Sequence, residues 1–193
     1  TFSLRRFMSD MKIAKEMGLI DNLCSYVSIS NFMNKEEMIP KFNELIEISS
    51  LPLREVETDF AIDSSGFSTS RFARYFNYKY GKEKTYRIWL KAHLISGVKT
   101  NIVTGVKITD GKEHDSPQLA SLVKIVAKNF NLKEVSCDRA YSSRENLQLI
   151  KEVGAFPFIH FRRNTRAINK GSSVWRNMYH YFLYKHDEFM KSY

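Results

Sequence analysis

The spacing of apolar residues divides the chain into two parts with different periods. Residues 1–50 read as helical. Leu4, Phe7, Met8, Met11, Ala14 and Met17 recur every three or four positions, and Gly18 then supplies a stop. Asn34 to Ile48 is helical again, with Pro40 near its start, and Ser49-Ser50-Leu51-Pro52 reads as a boundary. Beyond residue 57 the period drops to two. Phe60 and Ile62 alternate in a short strand expected to end at Asp63, because Ser64-Ser65-Gly66 does not favour its continuation. Tyr86, Ile88, Leu90, Ala92 and Leu94 form one face of a second strand, with Arg87, Lys91 and His93 on the other. Ser96 and Gly97 begin a turn, and Ile102, Thr104, Val106 and Ile108 continue into a third strand, predicting an antiparallel hairpin.

A helix follows, with Ser116 as its expected cap, Pro117 in its first turn and a buried stripe of Leu119, Leu122, Val123, Val126 and Phe130. The fourth strand, Glu134 to Cys137, ends at Asp138. Ser142 and Glu145 predict a capping box for a helix that buries Leu147, Ile150 and Val153 and stops at Gly154. A fifth strand is expected from about Ala155 to Ile159, and Pro157 assigns it to a sheet edge. A single last helix from Ser172 carries Trp175, Met178, Tyr179, Phe182 and Phe189 on one face.

This order predicts an α/β fold with a mixed five-stranded sheet flanked by helices. Residues 1–52 form a small N-terminal helical segment and residues 53–193 the main domain. A right-handed crossover makes the first and fourth strands parallel neighbours. Asp63 and Asp138 then lie side by side at the carboxyl ends of those strands, where open α/β sheets place ligands. Two adjacent carboxylates repel unless a cation lies between them, and an oxygen-only site suits Mg2+ or Mn2+. Two such ions about 4 Å apart serve phosphodiester chemistry by activating a nucleophile and stabilising a leaving alkoxide. Each aspartate also has a plainer reading as the cap of the turn that follows it. A phosphatase built on a strand-end aspartate wants a second acid two residues on, where Ser65 stands.

Charge narrows the substrate. The net charge is +9, yet residues 1–56 are close to neutral. Residues 71–107 hold nine Lys or Arg against the single acid Glu83, and residues 160–176 hold five with no acid, so the excess forms stripes suited to a polyanion. Arg71, Arg74, Lys79 and Lys82 interleave with Tyr75, Phe76, Tyr78 and Tyr80, a mixture suited to phosphate contact and base stacking. Lys91, Arg139, Arg162, Arg163 and Arg166 complete the candidate nucleic-acid-binding set. Cys24 and Cys137 have no partner at zinc-ligand spacing, which with the absence of a long apolar run suggests a reduced, cytoplasmic protein without a membrane span. Hydrophobic residues make up 43% of the chain, which argues for a packed core.

The stretches Ala61-Ile62-Asp63-Ser64-Ser65-Gly66-Phe67 and Val135-Ser136-Cys137-Asp138-Arg139-Ala140-Tyr141 resemble the first two acidic motifs of prokaryotic insertion-sequence transposases of the DDE type. Lys91-Ala92-His93, the hairpin, Glu113-His114-Asp115-Ser116 and the lead-in Ile48-Ser49-Ser50-Leu51-Pro52-Leu53 are similar to the same family. The resemblance implies an RNase H-like core, cleavage at transposon ends and joining to target DNA, with two divalent ions held by three acids. It also implies a homodimer acting on double-stranded DNA. The family's third acid is a glutamate on the last helix in a Tyr-x2-Arg-x3-Glu pattern, and Tyr193 stands where that pattern would open. Both ends of the sequence are expected to be cuts, and the 193 residues alone are expected to bind metal weakly and turn over poorly. Asp187 and Glu188 lie on the last helix without the pattern. The rival readings are an RNase H-like nuclease that cuts without joining and a catalytically dead DNA-binding remnant.

Overall fold

The computed structural model describes residues 3–68, 89–168 and 170–193. Arg71, Arg74, Lys79, Lys82, the aromatics interleaved with them and the first residues expected in the second strand lie outside the described residues. The chain divides into two compact units, Thr1–Leu45 and Ile46–Tyr193. In the first, helix α1 (Leu4–Glu16) starts where the Ser3 hydroxyl accepts the Arg6 N–H. Helix α2 (Tyr26–Met33) is capped in the same way by Ser25. Neither helix buries a residue, and Arg5 lies 5.1 Å over the Tyr26 ring. Helix α3 (Met38–Ser50) begins four residues later than the apolar pattern suggested, with Pro40 inside its first turn, where a missing N–H breaks no helical bond. It runs on into a 3-10 turn at Leu51–Leu53.

The second unit is built on one sheet. Its strands are β1 (Asp59–Ser68), β2 (Trp89–Gly97), β3 (Val103–Asp110), β4 (Glu134–Cys137) and β5 (Phe156–Ile159), in the order β3-β2-β1-β4-β5. β1 pairs antiparallel with β2, and β2 with β3, whereas β1–β4 and β4–β5 are parallel. This is the mixed α/β arrangement of the RNase H-like fold. Helices α4 (Leu119–Ala127), α5 (Arg144–Glu152), α6 (Ser173–Tyr184) and α7 (His186–Ser192) accompany it. Leu119, Leu122, Val123, Val126 and Phe130 join Phe60, Ile62, Val135, Leu147, Ile150 and Phe158 in one buried core.

Five local expectations are corrected. β1 does not stop at Asp63 but pairs with β2 as far as Ser68, because a long antiparallel partner supplies the ladder that Ser and Gly do not seek on their own. Only its parallel pairing with β4 ends there, the last partners being Ile62 and Cys137. β2 buries His93 completely, while Leu90 on the expected inner face is 38% exposed. Ser116 opens a short 3-10 turn without a side-chain cap, and the helix proper starts at Leu119. Ser143, not Ser142, caps α5, accepting the Asn146 N–H, and the single last helix is two, broken at Lys185. Phe189 reaches the core from the second of these.

Glu57, wholly buried, accepts the backbone N–H groups of Lys99 and Thr100 in the β2–β3 turn. Gly97 leaves room for it, since a Cβ there would lie 2.4 Å from Glu57 Cδ. On β5 the Phe156 N–H donates to the Lys133 carbonyl at 2.7 Å, so the alternating neighbour Pro157 turns its nitrogen away from β4.

Candidate active site

Strand alternation decides what surrounds each acid. Phe60, Ile62 and Ser64 share one face of β1, and Ala61, Asp63 and Ser65 the other. Asp63 is the first residue of β1 past the parallel ladder, and Asp138 the first residue after β4. Both line one cleft of about 340 Å³ together with Ala61, Ile62, Ser136, Cys137 and Tyr193. Both are exposed. Asp63 Oδ1 accepts the Ser64 N–H at 2.7 Å, and Asp138 Oδ1 accepts the Ala140 N–H at 2.8 Å as it caps the 3-10 turn Arg139–Tyr141. The plainer capping reading of Asp138 is therefore correct as far as it goes, and it uses only one oxygen. Among the described residues, Oδ2 of each carboxylate accepts no hydrogen bond and neither acid is ion-paired.

Two neighbours feel both charges. Burial first, then Asp138, raises the Tyr193 phenol, with Asp63 adding to the effect. Burial likewise pushes the Cys137 thiol well up, with Asp138 and Asp63 both contributing, so this sulfur stays protonated at neutral pH. The donors this cleft offers a cation are carboxylate oxygens, a set that fits Mg2+ or Mn2+ rather than zinc. Among the described residues no group of three or more His, Cys, Asp or Glu side chains is assembled for a metal. Glu188 is ion-paired to Lys185 at 3.1 Å, and neither it nor Asp187 lines the cleft.

On the opposite face of β1 the structure assembles a cluster that the sequence reading passed over. The Asp115 carboxylate accepts from Lys91 Nζ at 3.0 Å and from the Ser64 hydroxyl at 3.1 Å, and His93 Nδ1 lies 3.6 Å away. Lys91 Nζ also donates to the Glu113 carbonyl. Thr109 donates to the Asp110 carbonyl, so its oxygen accepts from His93 Nε2–H at 3.0 Å, and His93 Nδ1 is left as the acceptor facing the Tyr141 hydroxyl at 3.4 Å. Burial raises the Tyr141 phenol, with Asp115 adding to the rise and the Ser64 hydroxyl opposing it. Burial lowers the His93 pKa despite Asp115, with Lys91 and Lys107 adding to the fall, and the ring is neutral at pH 7. Asp115 immediately precedes the 3-10 turn Ser116–Gln118 that leads into α4. It makes no side-chain cap bond there, and its partners come from β1 and β2. The signal available in sequence was the run Lys91-Ala92-His93, whose two polar residues share a face.

The basic candidates fall into two groups. Lys91 is committed to Asp115, half-buried behind the sheet. Arg139, Arg162, Arg163 and Arg166 are exposed. Arg139 follows Asp138 directly, and its carbonyl accepts from Arg162 Nε at 3.4 Å. The segment carrying Arg162, Arg163 and Arg166 is held to the core at several points. The Trp175 indole donates to the Arg166 carbonyl, Tyr179 to the Thr165 carbonyl and Arg144 to the Ile168 carbonyl. Arg144 also lies 4.6 Å over the Trp175 ring.

No curated protein matches the sequence. Similar solved structures include a piggyBac transposase synaptic complex with hairpin DNA, 16% identical with a TM-score of 0.39, covering 70% of this chain and 32% of that one. A simian T-cell lymphotropic virus intasome in complex with PP2A regulatory subunit B56 gamma is 15% identical with a TM-score of 0.34, covering 70% of this chain and 46% of that one. The chain thus spans less than half the length of either. The model of the transposase DDE domain matches residues 54–188, which takes in β1 through α6 with both aspartates, and the chain belongs to that family.

Proposed function

We propose that this chain is the catalytic core of a DNA transposase, in which Asp63 and Asp138 hold two Mg2+ or Mn2+ ions for cleavage and strand transfer at transposon ends. The observation that carries the reading is the shared cleft: two carboxylates of like sign, each with an oxygen to spare, and no basic side chain paired to either among the described residues. Like charges so placed are stable together when a cation neutralises them. When bound, the ions supply activation of the attacking oxygen and stabilisation of the leaving one. The chain's own residues orient and bind. Backbone N–H groups of Ser64 and Ala140 fix the two carboxylates. Exposed Arg139, directly after Asp138, offers a phosphate contact beside them, exposed Arg162, Arg163 and Arg166 offer further ones, and the anchoring of the 162–168 segment spares the entropy of ordering it on DNA.

Double-stranded DNA is the partner this charge pattern fits, with a second copy of the chain as the expected assembly on paired ends. Residues 1–52 are proposed as a helical segment that contacts DNA or that copy. No helix among the described residues is long and apolar enough to cross a membrane. Incubating the protein with an end-containing duplex and target DNA in Mn2+ tests the proposal. Joined products that disappear in Asp63→Asn and Asp138→Asn support it. Nicks without joining favour a nuclease, and binding without any metal-dependent cleavage favours a DNA-binding remnant.

A further inference from the structure

Asp63 lies where β1 has just lost its partner β4, so on that side no ladder holds it. Its position then depends on β2 and on whatever grips β1 from behind. The residue after it, Ser64, points to the opposite face and donates to Asp115. Asp138 is in a similar position. The turn it caps closes at Tyr141, whose N–H donates to the Asp138 carbonyl and whose hydroxyl lies 3.4 Å from His93 Nδ1. One cluster therefore touches both acid-bearing segments, each within three residues of its aspartate. It is ordered from three further sides: Lys91 and His93 come from β2, Thr109 from β3, and Asp115 from the turn before α4.

The composition of the cluster argues that packing alone is not its purpose. Lys91 and Asp115 are only 22% and 18% exposed, and His93 is wholly buried. Burying a charged pair and an imidazole there gains little over apolar residues of the same volume. What such a network provides is geometric definition, since every member has a partner and each bond is directional. We infer that Asp115, with Lys91 and His93, is a positioning group that fixes the spacing of Asp63 and Asp138 from the far face of the sheet. The inference rests on the reading of those two acids as cation ligands.

The test follows Mn2+ binding to the chain through paramagnetic broadening of the amide signals flanking Asp63 and Asp138, with thermal unfolding in EDTA recorded alongside. The double variant Ser64→Ala/Tyr141→Phe removes only the hydroxyls that link the cluster to the two segments. It is expected to weaken Mn2+ binding on the order of tenfold, the effect typical of groups that orient metal ligands. The double variant Asp115→Asn/Lys91→Met removes the pair without changing net charge and is expected to do the same. Lys91→Arg, which keeps the cation, is expected to bind as the unaltered chain does. Wild-type affinity in both double variants, with only the unfolding temperature lowered, would show the cluster to be structural and overturn the inference. Asp63→Asn and Asp138→Asn separate the two levels. If they leave Mn2+ binding unchanged, the metal reading itself is wrong. If they abolish it while both double variants bind Mn2+ as the unaltered chain does, the positioning role alone falls.

Discussion

The two faces of β1 handle charge in opposite ways within two consecutive residues. Behind the strand, at Ser64, Asp115 is matched by Lys91, and His93, Thr109 and Tyr141 satisfy one another. In front, at Asp63, a second carboxylate shares the cleft and, among the described residues, no basic group is paired to either. A charge withdrawn from water must be compensated at once by the protein, whereas an exposed pair can be left for a ligand to complete. The difference separates a part of the fold that is finished from a part that is not.

The largest expected effect comes from the unfinished face. Asp138→Asn removes one of two like charges, so end cleavage in Mn2+ is expected to fall by more than about a hundredfold. Its unfolding temperature is expected to stay level or rise, because repulsion is relieved. The mirror-image change on the finished face, Asp115→Asn, strands a half-buried Lys91. A loss of about 2–3 kcal/mol is expected in urea unfolding, below the roughly 3–5 of a fully buried pair. A stability loss in the first or none in the second would erase the contrast. Gly97→Ala forces a methyl against the buried Glu57 carboxylate and is expected to cost about 1–3 kcal/mol in the same assay. The smallest effect concerns pH. Because burial depresses His93 below its ordinary value of 6.5, the unfolded chain takes up a proton there before the folded one does. Stability from this residue is therefore present above pH 6.5 and declines as pH falls below it. His93→Gln is expected to lose less stability than the unaltered chain between about pH 7 and 5; parallel slopes would refute this.

Local chemistry was legible in the sequence wherever the structure is local. The Leu119-to-Phe130 stripe, the strand ending at Asp138 and the stop at Gly154 (φ +88) are set by periodicity and turn residues within a few positions. The misreadings share a cause. β1 continues past Asp63 only because β2 lies beside it, and His93 is buried only because Thr109 and Tyr141 meet it from 16 and 48 residues away. Asp115 was invisible as a partner of Ser64 for the same reason, their separation being 51 residues. The cap at Ser143 rather than Ser142 turns on backbone geometry that two adjacent serines do not distinguish.

Pro157 has a consequence beyond its own strand. Phe156 and Phe158 direct their amides inward to β4, so the outward-facing amides of β5 belong to residues 157 and 159, and the first of these has no hydrogen to give. The outer margin of β5, where Pro157 and Ile159 are themselves buried, is thereby deprived of a donor at its middle. A foreign strand seeking to add there finds an interrupted template, which protects a chain rich in β-branched and aromatic residues from edge-to-edge polymerisation.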